Sequence, residues 1–116
     1  MRIAVPTDEK GSLGDKVALH FGRANNFLIY NTETKGFEIS PNPEATGEKE
    51  FPPDFLHDQG VKAVIIFGLG AMAYQKFKNH NIKMYKAIQG TIAANLQIFE
   101  DGKLRELKEG EDIYVF

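Results

Sequence analysis

The sequence predicts an α/β domain: a mixed sheet of five strands, one of them antiparallel, with helices on its faces. Three observations carry this. Short apolar runs rich in β-branched residues alternate with stretches of helical period in the second half, giving two consecutive βα units over residues 61–79 and 82–102. Consecutive βα units imply parallel strands joined by right-handed crossovers. In the first half, two strand-like runs flank a polar turn at residues 32–36, which makes a hairpin and reverses one strand.

Each element follows in order. Residues 2–6 are the first strand, built on Ile3, Ala4 and Val5 and ended by Pro6 and Thr7. Residues 7–26 form a long connection rich in Gly, Asp, Lys and Asn around one compact island, His20-Phe21-Gly22-Arg23. Connections of this length in a small domain are often functional. Residues 27–31 and 37–40 are the hairpin strands, with Gly36 expected to supply the positive φ of the turn. Residues 41–53 hold four of the five prolines together with Glu44, Glu48 and Glu50, and read as a mobile acidic loop. Pro53 opens a short helix carrying Phe55 and Leu56 and stopped by Gly60.

Residues 61–67 are the most apolar strand, expected to be central and covered on both faces. Gly68-Leu69-Gly70 then turns into a helix reaching Asn79, with Ala73 and Phe77 on its buried face, Lys76 and Lys78 at its negative end and Asn81 as a left-handed stop. Residues 82–86 are the next strand. Thr91 caps a helix in which Ile92, Leu96 and Phe99 face inward and which Gly102 ends. The tail is charged until Ile113, Tyr114, Val115 and Phe116, which are apolar enough to dock as an extra edge strand. Left exposed, such a strand would pair two copies.

A chain of 116 residues with 42% hydrophobic and 26% charged residues has ordinary globular composition and the length of one domain. Its 14 basic and 16 acidic residues lack the basic excess of an electrostatic nucleic-acid binder. With no cysteine there is no disulfide, no zinc ribbon and no self-ligated iron–sulfur cluster. The longest apolar run, residues 63–67, is too short to span a bilayer, and the N-terminus enters a strand directly with no leader pattern. A cytoplasmic protein is expected.

Three segments carry chemistry. Gly68-Leu69-Gly70-Ala71-Met72-Ala73 matches G-x-G-x-x-A between a strand and a helix, where free backbone N–H groups favour an anion. A dinucleotide site also needs an acid at the end of the next strand, which here reads Met84-Tyr85-Lys86. The glycines therefore serve either a tight turn or a general anion site. Gly90-Thr91 is either a plain helix cap or a second such tip. Two positive helix ends at the carboxyl edge of parallel strands would favour a multiply charged anion. In His20-Phe21-Gly22-Arg23, the histidine offers a ligating nitrogen, Gly22 a close backbone approach and Arg23 a cationic fork. The plainer reading is a packed Phe21 between solvated neighbours. His57 and His80 read as surface residues. No serine nucleophile motif and no carboxylate cluster for two magnesium ions is present, so no catalytic residue is assigned.

The island, extended to Ala24 and followed by Phe27-Leu28-Ile29-Tyr30, resembles the signature of the dinitrogenase iron–molybdenum cofactor biosynthesis family, the type of NifX, NafY and the C-terminal domain of NifB. Gln59 to Ile66 with Gly68-Leu69-Gly70 resembles the family's second motif, and Gly90-Thr91 through Gly102-Lys103-Leu104 its closing helix. The similarity covers residues 1–104, so the chain reads as one domain, 1–116, with 104–116 an extension.

The resemblance implies a ribonuclease H-like three-layer fold without nuclease chemistry. It implies a non-enzymatic carrier of an iron–molybdenum–sulfur cofactor, its precursor or a related anionic cluster, taken from a donor protein and passed to an acceptor. The family's cluster-ligating histidine falls on His20, and Phe21, Gly22, Arg23, Gly68, Gly70, Gly90 and Thr91 would hold the cluster by hydrogen bonds and charge. Without cysteine the cluster must arrive already built and bind transiently. The chain departs from the family pattern at Leu19, Asn25, Asn26 and Phe67, and Phe67 is expected to narrow the crevice. The alternative is a regulatory or protein-interaction module of the same fold that binds no cluster and uses loop 41–53 and tail 111–116. A small nicotinamide-linked reductase at Gly68–Gly70 is a third reading. A monomer or weak dimer is expected.

Overall fold

In chain order the elements are β1 (Arg2–Thr7), β2 (Asn26–Asn31), β3 (Phe37–Pro41), α1 (Pro52–Asp58), β4 (Val61–Ile66), β5 (Leu69–Gly70), α2 (Ala71–Asn79), β6 (Lys83–Lys86), α3 (Ile92–Glu100) and β7 (Ile113–Tyr114). They come from a computed structural model that describes residues 1–47 and 50–114. The main sheet has the order β3-β2-β1-β4-β6. β2 is antiparallel to both neighbours, while β4 lies parallel to β1 and β6 parallel to β4. Four strands therefore point one way and β2 alone is reversed.

Period-two alternation divides the apolar residues between two faces. Ala4, Phe27, Ile29, Val64 and Ile66 meet Leu56 of α1 and Phe77 of α2 on one side. Ile3, Val5, Leu28, Ala63 and Ile65 meet Ile92 and Leu96 of α3 on the other. β4 is covered on both faces as its composition requires, but the middle position belongs to β1. Phe77 is fully buried and Ala73 packs beside it, Asn81 takes φ 57°, and Thr91 Oγ1 accepts the Ala94 N–H at 3.1 Å.

Several expectations change. The positive φ in the hairpin turn falls on Lys35 (64°), not Gly36. The Lys35 N–H closes onto the Asn31 carbonyl at 2.9 Å, which puts the left-handed residue one place before the glycine. Both ends of residues 41–53 are fixed to the body of the domain, with Pro41 in β3, Asn42 fully buried, and Pro52 and Pro53 buried in α1, while residues 44–47 form an exposed turn. Glu48 and Lys49 lie outside the described residues.

The tail does add a strand, but β7 pairs in parallel with β5 as a separate two-stranded ladder rather than at an edge of the main sheet. Val115 and Phe116 lie outside the described residues. Upstream, residues 105–107 run along β6, with Lys86 N–H donating to the Arg105 carbonyl at 2.8 Å and Leu107 N–H to the Met84 carbonyl at 3.0 Å.

Buried Asp15 organises the long connection. Its carboxylate accepts the Gly11 N–H (2.6 Å), the Ser12 N–H and hydroxyl (both 2.9 Å) and the Thr7 hydroxyl (3.2 Å). Burial alone would raise its pKa, but these donors outweigh it and leave the pKa lowered. His57 and His80 stack with ring centroids 4.1 Å apart, and His80 Nε2 lies 2.7 Å from Asp54, joining α2 to α1. That hydrogen bond, with Lys76 at 3.2 Å, holds the Asp54 carboxyl below the usual range. Among the described residues, no helix is long and apolar enough to cross a membrane.

Candidate functional site

The island between β1 and β2 folds as one 3-10 turn, Phe21–Arg23. Phe21 anchors it: its buried ring lies 5.4 Å from that of Phe27 and meets Phe77 edge-on at 5.2 Å. The flanking His20 and Arg23 stay exposed, and neither side chain has a hydrogen bond or ion pair among the described residues. The plainer expectation, a packed phenylalanine between solvated neighbours, is therefore met locally. Those neighbours also border a cavity.

Asn42 holds the turn in place. Its Nδ2 donates to the Gly22 carbonyl (3.2 Å) and the Ala24 carbonyl (2.9 Å), and its Oδ1 accepts the Glu44 N–H (3.1 Å). Its backbone N–H donates to the Asn25 carbonyl at 3.0 Å. Each polar group of a buried amide is thus used, so the turn cannot shift without leaving a buried group unpaired.

The glycine turn after β4 forms the opposite wall. Gly70 begins α2 without a side-chain cap, and the first turn of that helix carries no acid, so this chain places no carboxylate of that turn against the positive end of the helix dipole. Together His20, Phe21, Gly22, Arg23, Gly68 and Gly70 line a cavity of about 530 Å³, joined by Glu44, Leu69 and Tyr114. A smaller adjoining cavity of about 220 Å³ shares Phe21, Gly22, Glu44, Leu69 and Gly70 and adds Phe51, Met72 and Lys76 among others. A third of about 420 Å³ beside β6 contains none of the motif residues.

Gly90 and Thr91 do not line the motif cavity. The start of α3 is already filled by the long connection: Ile92 N–H donates to the Asp15 carbonyl (2.8 Å), Ala93 N–H to the Leu13 carbonyl (2.9 Å), and Val17 N–H to the Gly90 carbonyl (3.4 Å). A helix tip whose first amides are used by backbone carbonyls has little left for an anion. The expected convergence of two helix tips is reduced to one. Phe67 packs toward α3, so the residue that narrows this cavity is Tyr114.

Sequence reasoning missed Asn42, Glu44 and Tyr114. The Asn42-Pro43 dipeptide is a turn-initiating signal that could have flagged the first two. Nothing local marks Tyr114. Electrostatically, the mouth sets the Arg23 guanidinium and the His20 imidazole against the Glu44 carboxylate, whose Oε2 would stand 3.6 Å from a Cβ at Gly22. Among the described residues, no group of three or more His, Cys, Asp or Glu is placed to hold a metal ion. Among the described residues the cavity thus sets one imidazole and one guanidinium beside the start of α2, with no three-residue group placed to chelate a metal ion.

Over residues 1–102 the sequence matches the family described as "Dinitrogenase iron-molybdenum cofactor". The chain belongs to that family. A relative from Methanocaldococcus jannaschii, the uncharacterized protein MJ0580, is 32% identical over 114 residues, covering 93% of this chain and 92% of its own. Among solved structures, a Thermotoga protein (TM1290), described as a candidate NifB protein of the DUF35 family, superposes with a TM-score of 0.78 at 30% identity over 94% of this chain and 98% of its own. The apo form of the orange protein of Desulfovibrio gigas superposes with a TM-score of 0.81 over 91% of this chain and 92% of its own; at 24% identity that likeness speaks to the fold alone. The family match contains His20 to Arg23 and Gly68 to Gly70, and it stops short of the tail that carries Tyr114.

Proposed function

We propose that this protein is a non-enzymatic carrier that binds a preassembled, anionic metal–sulfur cluster, an iron–molybdenum–sulfur cofactor or its precursor, between His20 and the Gly68–Gly70 turn. One observation carries the reading: an exposed imidazole and guanidinium, unengaged among the described residues, share one cavity with a helix start that has no side-chain cap. Its volume of about 530 Å³ suits a compact inorganic cluster. The donor set suits one too. With no cysteine, His20 supplies a single bond to metal at a position the cluster leaves open. Arg23 and the backbone amides near Gly70 neutralise sulfide charge. One labile anchor favours release over retention, as a carrier between donor and acceptor proteins requires. Gly90 and Thr91 drop out of this reading because their amides are committed to residues 13–17.

The same reading takes the sheet, with β2 alone reversed, as ribonuclease H-like with the nuclease carboxylates absent. It places the chain in the cytoplasm as a monomer or weak dimer, with residues 104–116 an extension of one binding domain. The test is anaerobic titration with the isolated iron–molybdenum–sulfur cofactor, followed by visible absorbance. Binding by wild type and its loss in His20→Ala, with thermal stability unchanged, supports the proposal. Equal binding by both proteins removes His20 from any ligand role.

A further inference from the structure

We propose that the open end of the β6 edge captures the C-terminal residues of a partner polypeptide as an added parallel strand, with the terminal carboxylate on the Met84 N–H.

Among the described strands β6 is the last of the main sheet, so one of its edges has no neighbouring strand. Residues 105–107 cover only part of that edge. The Lys86 N–H donates to the Arg105 carbonyl (2.8 Å) and the Leu107 N–H to the Met84 carbonyl (3.0 Å), around a single bridge between Tyr85 and Glu106. The chain then turns away, with the Glu111 and Asp112 N–H groups both closing onto the Lys108 carbonyl. Successive residues of a strand direct their backbone groups to opposite neighbours. The Ala87 N–H donates to Ile66 of β4, so residues 83, 85 and 87 face β4 and residues 82, 84 and 86 face outward. Two outward groups are left over. The Met84 N–H and the Ile82 carbonyl have no hydrogen-bond partner among the described residues.

This donor and acceptor flank Lys83, which fixes what completes them. An antiparallel residue would need the Met84 carbonyl, and Leu107 already holds it. One residue of a parallel strand opposite Lys83 uses both free groups: its N–H donates to Ile82 and its carboxyl or carbonyl oxygen accepts from Met84. Leu107 lies beside Met84, so the added strand stops there, and a chain that ends at that point puts its terminal carboxylate on the Met84 N–H.

The side chains suit such an end. The cavity of about 420 Å³ beside β6 is lined by residues 81–84 together with Tyr74, Lys78, Glu106 and Leu107. Lys78 lies over the Tyr74 ring at 5.5 Å, and neither Lys78 nor Lys83 has an ion pair among the described residues. Glu106 is the one carboxylate among the described lining residues, so the cavity has an excess of positive charge for a carboxylate. Ile82 and Met84 point toward α2 and pack in its core with Tyr74 and Leu107. Alternation therefore lays the penultimate residue of the added strand on that apolar side, which selects an apolar residue there. Strand addition draws affinity from main-chain bonds and specificity from alternate side chains. The groove shares no residue with the motif cavity, and Glu106 and Leu107 lie beyond residue 102, where the family match ends.

The experiment follows amide hydrogen exchange and backbone amide shifts with an acetylated five-residue peptide, Gly-Ser-Ala-Leu-Ala, bearing a free carboxylate. Without peptide, the Met84 amide should exchange faster than those of Lys86 and Leu107. Equal protection shows the edge already closed and overturns the proposal. Peptide should slow exchange at Met84, and no slowing at millimolar peptide also overturns it. The C-terminal amide of the same peptide, and Lys83→Glu with the free acid, should each bind about tenfold more weakly, while Glu106→Gln should bind about threefold tighter at low salt. Equal affinity for the acid and the amide removes the carboxylate. Acetate protecting Met84 as well as the peptide does, or a peptide N-methylated at its last residue binding equally, reduces the site to a simple anion contact and overturns strand addition. His20→Ala should bind the peptide as wild type does, so failure of the carrier reading leaves this result intact.

Discussion

Asn42→Ala tests the physical account of the site most directly, because Asn42 touches no proposed ligand and yet positions the residues that do. The substitution removes two donated bonds, to the Gly22 and Ala24 carbonyls, and one accepted bond from the Glu44 N–H. The bond to Ala24 is buried; the other two are partly buried. A buried carbonyl left without a donor costs about 1–3 kcal/mol, and each partly buried bond that water can replace costs about 0.5 kcal/mol. The expected loss is therefore about 2–4 kcal/mol. In a domain of this size that corresponds to a fall in Tm of about 10 °C. Thermal and urea unfolding followed by circular dichroism measure it. A loss under about 1 kcal/mol would refute the claim that Asn42 fastens the 3-10 turn.

Two further outcomes follow from charge. Glu44→Gln removes the one carboxylate among the described residues that line the motif cavity and should tighten cofactor binding about three- to tenfold, less at high salt, since the opposed charges sit at a solvated mouth. Unchanged affinity would place the ligand elsewhere. For Asp112, burial by itself would raise the pKa, but Arg105, the Lys108 N–H and Lys86 bring it down to about 2. A folded pKa below the unfolded value stabilises the protein above the unfolded pKa, and that stability is lost as pH falls toward 2. The window is worth about 2 kcal/mol. The stability gap between wild type and Asp112→Asn should shrink between pH 5 and pH 2, and a gap that stays constant over that range counts against the anchor.

The legible part of this protein was the part set by near neighbours in the chain. Alternation in residues 2–6, 27–31 and 61–67 separates the two cores because successive side chains in a strand point to opposite faces. Thr91 caps α3 and Asn81 takes a left-handed φ through interactions confined to a few residues. The island at residues 20–23 and the turn at 68–70 were visible as motifs, and both line one cavity.

What the chain could not show by itself was which polar groups remain available. The starts of α2 and α3 look alike in sequence, each a glycine-bearing turn after a strand. Only the folded chain lays Leu13 and Asp15 across the second and uses its amides, while the first lines a cavity with His20 and Arg23. Asn42 sits among prolines and glutamates that read as a solvated loop, until folding brings the Gly22 and Ala24 carbonyls to its amide. Tyr114 lies more than forty residues from the turn it covers. Backbone propensity and side-chain period are local properties, so sequence determined the elements. The pairing of hydrogen-bond donors and acceptors is settled between distant segments, so the tertiary structure alone decided where the cavity is and what lies over it.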